Sequence, residues 1–169
     1  MRSLLSVVSA AAAMLLASWP AAAEPAASFS LRGDYSTGSS IRDVLAKSSK
    51  IPLNKRYNEL TDEQRQVLHS YYVALGPGDE PPFPSEGLEP LVKLLHRAQL
   101  KLKVTGPLYL IATVGPDGKP TEVSAVGSPS EEMTRFAASA VMLTAFKAAK
   151  CSGEPCKMQY PLALQFTMR

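Results

Sequence analysis

Apolar residues in this chain follow two periods, and the change between them organises it. Residues 108–114 (LYLIATV) are rich in β-forming side chains, and Gly115-Pro116-Asp117-Gly118 follows as a turn. Residues 121–126 (TEVSAV) return as a second strand, antiparallel to the first because the connection is short. Residues 158–168 alternate cleanly. Met158, Tyr160, Leu162, Leu164, Phe166 and Met168 share one face; Gln159, Pro161, Ala163, Gln165 and Thr167 share the other. Between these strands the period turns helical, with Met133, Phe136, Ala137, Ala140, Val141 and Thr144 on one stripe. Ser128 is expected to cap that helix, with Pro129 at its first position and Glu131 closing a capping box.

Upstream the helical period dominates. Thr61-Asp62-Glu63-Gln64 is a capping box, and Val67, Leu68, Tyr71, Tyr72 and Leu75 form the stripe of a helix expected to run to about Leu75. Gly76-Pro77-Gly78 stops it. Another helix is expected over residues 88–104, with Leu88, Leu91, Val92, Leu95, Ala98, Gln99 and Leu102 on one face. Lys93, His96, Arg97, Lys101 and Lys103 decorate its other side and its end, where positive charge suits the dipole. Residues 76–87 (GPGDEPPFPSEG) are too rich in Pro and Gly for helix or central strand; they read as a packed loop or a linker. Residues 24–39 are small and polar, with one short strand expected at 28–31, and residues 41–46 suit a helical turn.

The first residues change the class of protein. Arg2, an apolar run over residues 4–16 and Ala21-Ala22-Ala23 fit a secretory signal cleaved after Ala23. Export to the periplasm follows as an expectation, with a mature chain starting at Glu24. No later stretch is apolar enough to span a bilayer, so stable membrane insertion is not expected. Net charge falls from +3 to +2 once Arg2 is removed, too near neutral to argue for nucleic acid. The basic residues Lys50, Lys55 and Arg56 read as a solvated linker. In an oxidising compartment Cys151 and Cys156 read as a disulfide, stapling the helix end to the last strand and contributing at the low end of ~2–4 kcal/mol.

Candidate chemistry is sparse. His69 and His96 each stand alone in expected helices, and no companion ligand set has metal-site spacing. The sequence contains no phosphate loop, G-x-S-x-G or H-E-x-x-H motif, or Cys–His pair with an orienting group. No catalytic residue, metal or cofactor is assigned, and the chain is not read as an enzyme.

The fold class is therefore α+β. Residues 105–169 form a ββαβ unit, a three-stranded antiparallel sheet with one long helix, preceded by a mainly helical segment over residues 24–104. This order, with Gly106, Asp117-Gly118, Gly127-Ser128, Phe146, Gly153-Glu154-Pro155 and Leu164-Gln165-Phe166 at matching places, resembles the C-terminal domain of the TonB energy transducers. The chain departs from that family, and the receptor-contact signature of its well-known members is not found before the last helix. The N-terminus reads as a cleaved leader instead of an anchor, and the Pro-rich stretch is too short to span a periplasm. The resemblance implies a periplasmic adaptor that binds an extended segment of an envelope protein, such as an outer-membrane receptor, beside its last strand. The edge residues expected to serve are Gln159, Tyr160, Leu162, Ala163, Leu164, Gln165 and Phe166. Pro161 lacks one N–H there, so it either blunts pairing or faces outward. Two alternatives stand beside this: a homodimer or other self-associating envelope protein using the same edge, and a small exported hydrolase or inhibitor.

Overall fold

The computed structural model describes Ser48 and residues 50–73 and 75–168. The expected leader, the strand at 28–31 and the helical turn at 41–46 lie outside the described residues. After a 3-10 turn (Tyr57–Glu59) come α1 (Asp62–His69), β1 (Phe83–Pro84), α2 (Glu89–Leu102), β2 (Gly106–Val114), β3 (Pro120–Gly127), α3 (Glu131–Met142), β4 (Phe146–Lys147), β5 (Ala149–Cys151), β6 (Glu154–Cys156) and β7 (Met158–Phe166). The class is α+β, with antiparallel pairing throughout.

The main sheet has the order β3-β2-β7. β2 and β7 pair in unbroken register from Gly106↔Phe166 to Val114↔Met158. The clean alternation of β7 has a direct consequence. Met158, Tyr160, Leu162 and Phe166 point to the same face as Leu108, Leu110, Ala112 and Val114, and all are buried. Met133, Ala137, Ala140 and Val141 of α3 and Leu91 and Leu95 of α2 are buried in the same hydrophobic cluster. The cluster runs from Ile51 to Phe166, so the lead-in before residue 105 shares one core with the sheet.

Several local expectations need correction. α1 ends at His69, well short of Leu75. Ser70 Oγ donates to the Val67 carbonyl at 2.7 Å, competing with the helix ladder. The Tyr71 and Tyr72 amides then fall back on the i−3 carbonyls of Leu68 and His69, both at 3.1 Å. Both rings turn inward, to 4% and 2% exposure. The cap of α3 is Ser130, not Ser128: its Oγ accepts from the Met133 amide at 3.1 Å, while Ser128 Oγ donates to the Ser130 carbonyl. Phe136 leaves the expected stripe and is 39% exposed, so that helix packs through small residues and Met133. Thr144 lies past the helix end.

The disulfide joins Cys151 to Cys156, Cα atoms 5.8 Å apart, but its setting differs from the expected staple. α3 has already ended at Met142, so the bridge closes the small β5–β6 hairpin. Its turn, Ser152-Gly153, holds both residues at positive φ (52° and 91°), which Gly153 tolerates without cost. The Pro-rich stretch is a packed loop. Phe83 is fully buried, edge-on to Tyr160, and β1 pairs with β4. Asp79 ties the start of the loop to the β5–β6 turn, accepting from the Gly76 amide at 2.8 Å and the Ser152 amide at 2.7 Å. Glu80 and Lys150 exchange backbone bonds of 2.9 and 2.8 Å.

Candidate peptide-binding edge

β7 lies at one end of the sheet order, so one side of its backbone is not matched by β2. Which groups face out follows from two contacts. Tyr72 donates its hydroxyl to the Gln159 carbonyl at 2.7 Å, and Ser48 Oγ donates to the Ala163 carbonyl at 3.4 Å. Antiparallel strands turn alternate residues toward each neighbour, so Gln159, Pro161, Ala163 and Gln165 face outward. Met158, Tyr160, Leu162, Leu164 and Phe166 bond to β2. Pro161 therefore stands where the ladder asks nothing of its nitrogen, which resolves its place in a long strand.

The seven expected edge residues separate accordingly. Tyr160, Leu162 and Phe166 are buried in the core, and Leu164 is partly so. Ala163 is 5% exposed, Gln159 is half-buried, and Gln165 is exposed. The outer carbonyls of Gln159 and Ala163 are already used, while no hydrogen bond from another element among the described residues meets the Pro161 carbonyl. Thr167, just beyond the strand, gives its carbonyl to Gln99 Nε2 at 3.1 Å. Gln165 differs: no hydrogen bond among the described residues meets its main chain from another element. The open stretch is thus short and centred on Gln165.

A groove runs beside this stretch. Its inner part is a cavity of about 230 Å³ between β7 and α2, lined by Ile51, Leu53, Tyr71, Leu88 and Val92 on one side and residues 160–165 on the other. A second cavity of about 550 Å³ continues it past His96, Gln99 and Leu100 to residues 164–168. Val92, Leu164 and Gln165 line both. Burial pushes the phenols of Tyr71 and Tyr160 upward, the latter also through the neighbouring Tyr71, so the inner cavity stays uncharged at working pH. Gln99 is 1% exposed; beyond its bond to Thr167 its Oε1 lies 2.9 Å from His96 Nδ1, which fixes the outer wall.

Sequence reasoning missed the groove's far wall. The α2 stripe located Leu88 and Val92 correctly on an apolar face, but nothing local said that this face stands off from β7. Tyr72 and Ser48 carried no signal as edge caps. A buried Gln inside a helical stripe, Gln99, was the one available hint, because a buried amide needs a partner.

A second polar cluster lies elsewhere. Glu80 sits between Lys147 Nζ at 2.7 Å and Lys150 Nζ at 3.4 Å, and Lys147 lies over the Tyr57 ring at 4.3 Å. Burial pushes the Tyr57 phenol up to about 12, helped by Glu80. His69, on α1, is pulled down by burial against the charges of Asp79 and Glu80. These groups tie the Pro-rich loop to the β4–β5 region. Among the described residues no three His, Cys, Asp or Glu side chains gather as a metal site, and no helix is long and apolar enough to cross a membrane. The chain matches no protein-family model and no curated protein.

Proposed function

We propose that this protein is a binding module of the cell envelope, exported after removal of residues 1–23, that captures an extended segment of another envelope protein by adding it as a strand to β7. The reading makes it an adaptor similar to a TonB C-terminal domain and assigns it no catalysis. The observation that carries it is the main chain of Gln165, which no other element among the described residues meets, beside an open groove. An incoming strand satisfies those backbone groups, and the apolar groove walls hold its side chains.

Self-pairing through the same edge is the weaker reading. Two β7 strands brought together would set the cationic outer lips of two grooves, Lys93 and Arg97, against each other. The test is a photo-crosslinker placed at Leu100, on the groove wall, used on envelope extract from a Gram-negative cell with wild type and Gln165→Pro. Crosslinks to one defined extended segment, lost in the proline variant, are expected. Equal recovery by both proteins, or crosslinks only between copies of the chain, sinks the reading.

A further inference from the structure

The groove has a chemical bias that strand addition alone does not require. Residues lining its inner cavity are almost wholly apolar. Its outer lip, a surface hollow beside Val92, is formed with Lys93, His96 and Arg97. None of the residues lining the two cavities or this hollow is Asp or Glu. The nearby carboxylates are Glu89 of α2, which is held by Lys93 at 2.8 Å, and Glu132 of α3, which shares a separate hollow with Arg97 away from β7. Arg97 makes no ion pair among the described residues, and residues 158–168 of the opposite wall carry no charge at all.

We infer that the groove selects an extended segment carrying a large apolar side chain and, two or four residues away, a carboxylate. This rests on the strand-addition reading and specifies its ligand. Side chains at i, i+2 and i+4 of an added strand point the same way, so both reach toward α2. The apolar one enters the cavity of about 230 Å³ near Leu88 and Val92, which excludes water and demands no polar partner. The carboxylate lies over Arg97, with the imidazole of His96 alongside. An acidic ligand is the charge complement of an acid-free lip, and the same lip disfavours basic segments.

The test uses the mature chain and labelled, end-blocked octapeptides of Ser and Thr, read by fluorescence anisotropy. One peptide carries Leu and Glu two positions apart; others replace Glu by Gln, Glu by Lys, or Leu by Ser. The Leu/Glu peptide is expected to bind tightest, up to about fivefold over Leu/Gln at low salt, the range of one exposed ion pair. That advantage disappears in Arg97→Gln, persists in Arg135→Gln on the remote face of α3, and shrinks as salt rises. Equal binding of Leu/Glu and Leu/Gln, both still abolished by Gln165→Pro, overturns the acidic selection and leaves strand addition standing. Binding of all peptides unchanged by Gln165→Pro, or of none at millimolar protein, overturns both.

Discussion

Among the described residues β3 and β7 each have one side that no strand pairs, yet they guard that side by different means. β3 is irregular. Its register against β2 slips twice, between Tyr109 and Leu110 and between Thr113 and Val114, and Thr121, Glu122, Ser124 and Ala125 are exposed. Bulges twist an edge and a carboxylate repels a flat partner, so this edge is closed by its own backbone. β7 is regular along its whole length and lined with buried apolar residues. Its edge is guarded by other parts of the chain: Tyr72 over Gln159, Ser48 over Ala163, Gln99 over Thr167. Protection of the first kind covers a strand everywhere. Protection of the second kind covers chosen positions and, among the described residues, leaves the main chain of Gln165 unmet by another element.

Proline placement gives the largest test of this contrast. Leu164→Pro removes an N–H that bonds β2 and leaves a buried carbonyl unmatched, at a cost of about 3 kcal/mol. Gln165→Pro removes an outward N–H and is expected to cost less than about 1 kcal/mol, as the native Pro161 already shows the strand accepts. Urea denaturation of the two variants compares them directly. Similar losses in both mean that the inward and outward positions are wrongly assigned, and the open edge disappears with them.

Gly118 isolates the other edge. It has φ +76°, and a Cβ there would lie against the Phe146 carbonyl, which sits beside the turn because the Phe146 amide donates to the Gly118 carbonyl at 2.9 Å. Gly118→Ala is expected to lose about 3 kcal/mol from strain and displacement of backbone. The damage falls on the β2–β3 hairpin, so peptide affinity of the folded fraction stays unchanged. A loss of affinity in proportion would mean that the two edges are coupled. A smaller change acts on the guarded half of β7. Tyr72→Phe deletes the donor to Gln159 and is expected to cost about 1–2 kcal/mol in thermal or urea unfolding, with faster amide exchange in the lead-in. An unchanged midpoint would show that this contact does not hold the lead-in against the strand.

The difference between the edges also decided what could be read in the chain. Alternation over residues 158–168 carries β7 and its buried face, because a period of two has only one register that buries every large residue. The hairpin turn, α2 and the bonded cysteines were equally legible, since each depends on residues close in sequence. The end of α1 was not. Its stripe continues to Leu75 on paper, but Ser70 bonds back to the Val67 carbonyl and the core takes in Tyr71 and Tyr72, so the helix ends at His69. The caps on β7 come from residues 87 and 115 positions away from the carbonyls they meet, and no local pattern encodes such a pairing. Glycines told more than their type suggests. Asp117-Gly118 announces a turn, but that Gly118 must be glycine because Phe146 passes it is a tertiary fact.

The smallest expected effect concerns how firmly the lead-in is tied down beside β7. Glu80 is partly buried, which raises its pKa, but its bonds and charge contacts with Lys147 and Lys150 outweigh this and hold it below the usual value of 4.5. A carboxylate held below its unfolded pKa adds stability above about pH 4.5 and loses it as pH falls through the folded value. Burial acts the other way on Lys147, whose pKa is lowered despite Glu80. Both partners keep over a quarter of their side-chain surface exposed, so the pair is worth less than about 1 kcal/mol. Glu80→Gln should therefore lower the unfolding midpoint slightly at pH 7 and flatten its fall between pH 5 and 3, while the β3 hairpin, which contains none of these groups, keeps its exchange rates. Parallel slopes for wild type and variant would show that the Glu80 contacts do not persist in solution. The Pro-rich loop would then be held by Asp79, the β1–β4 pairing and the apolar packing of Phe83.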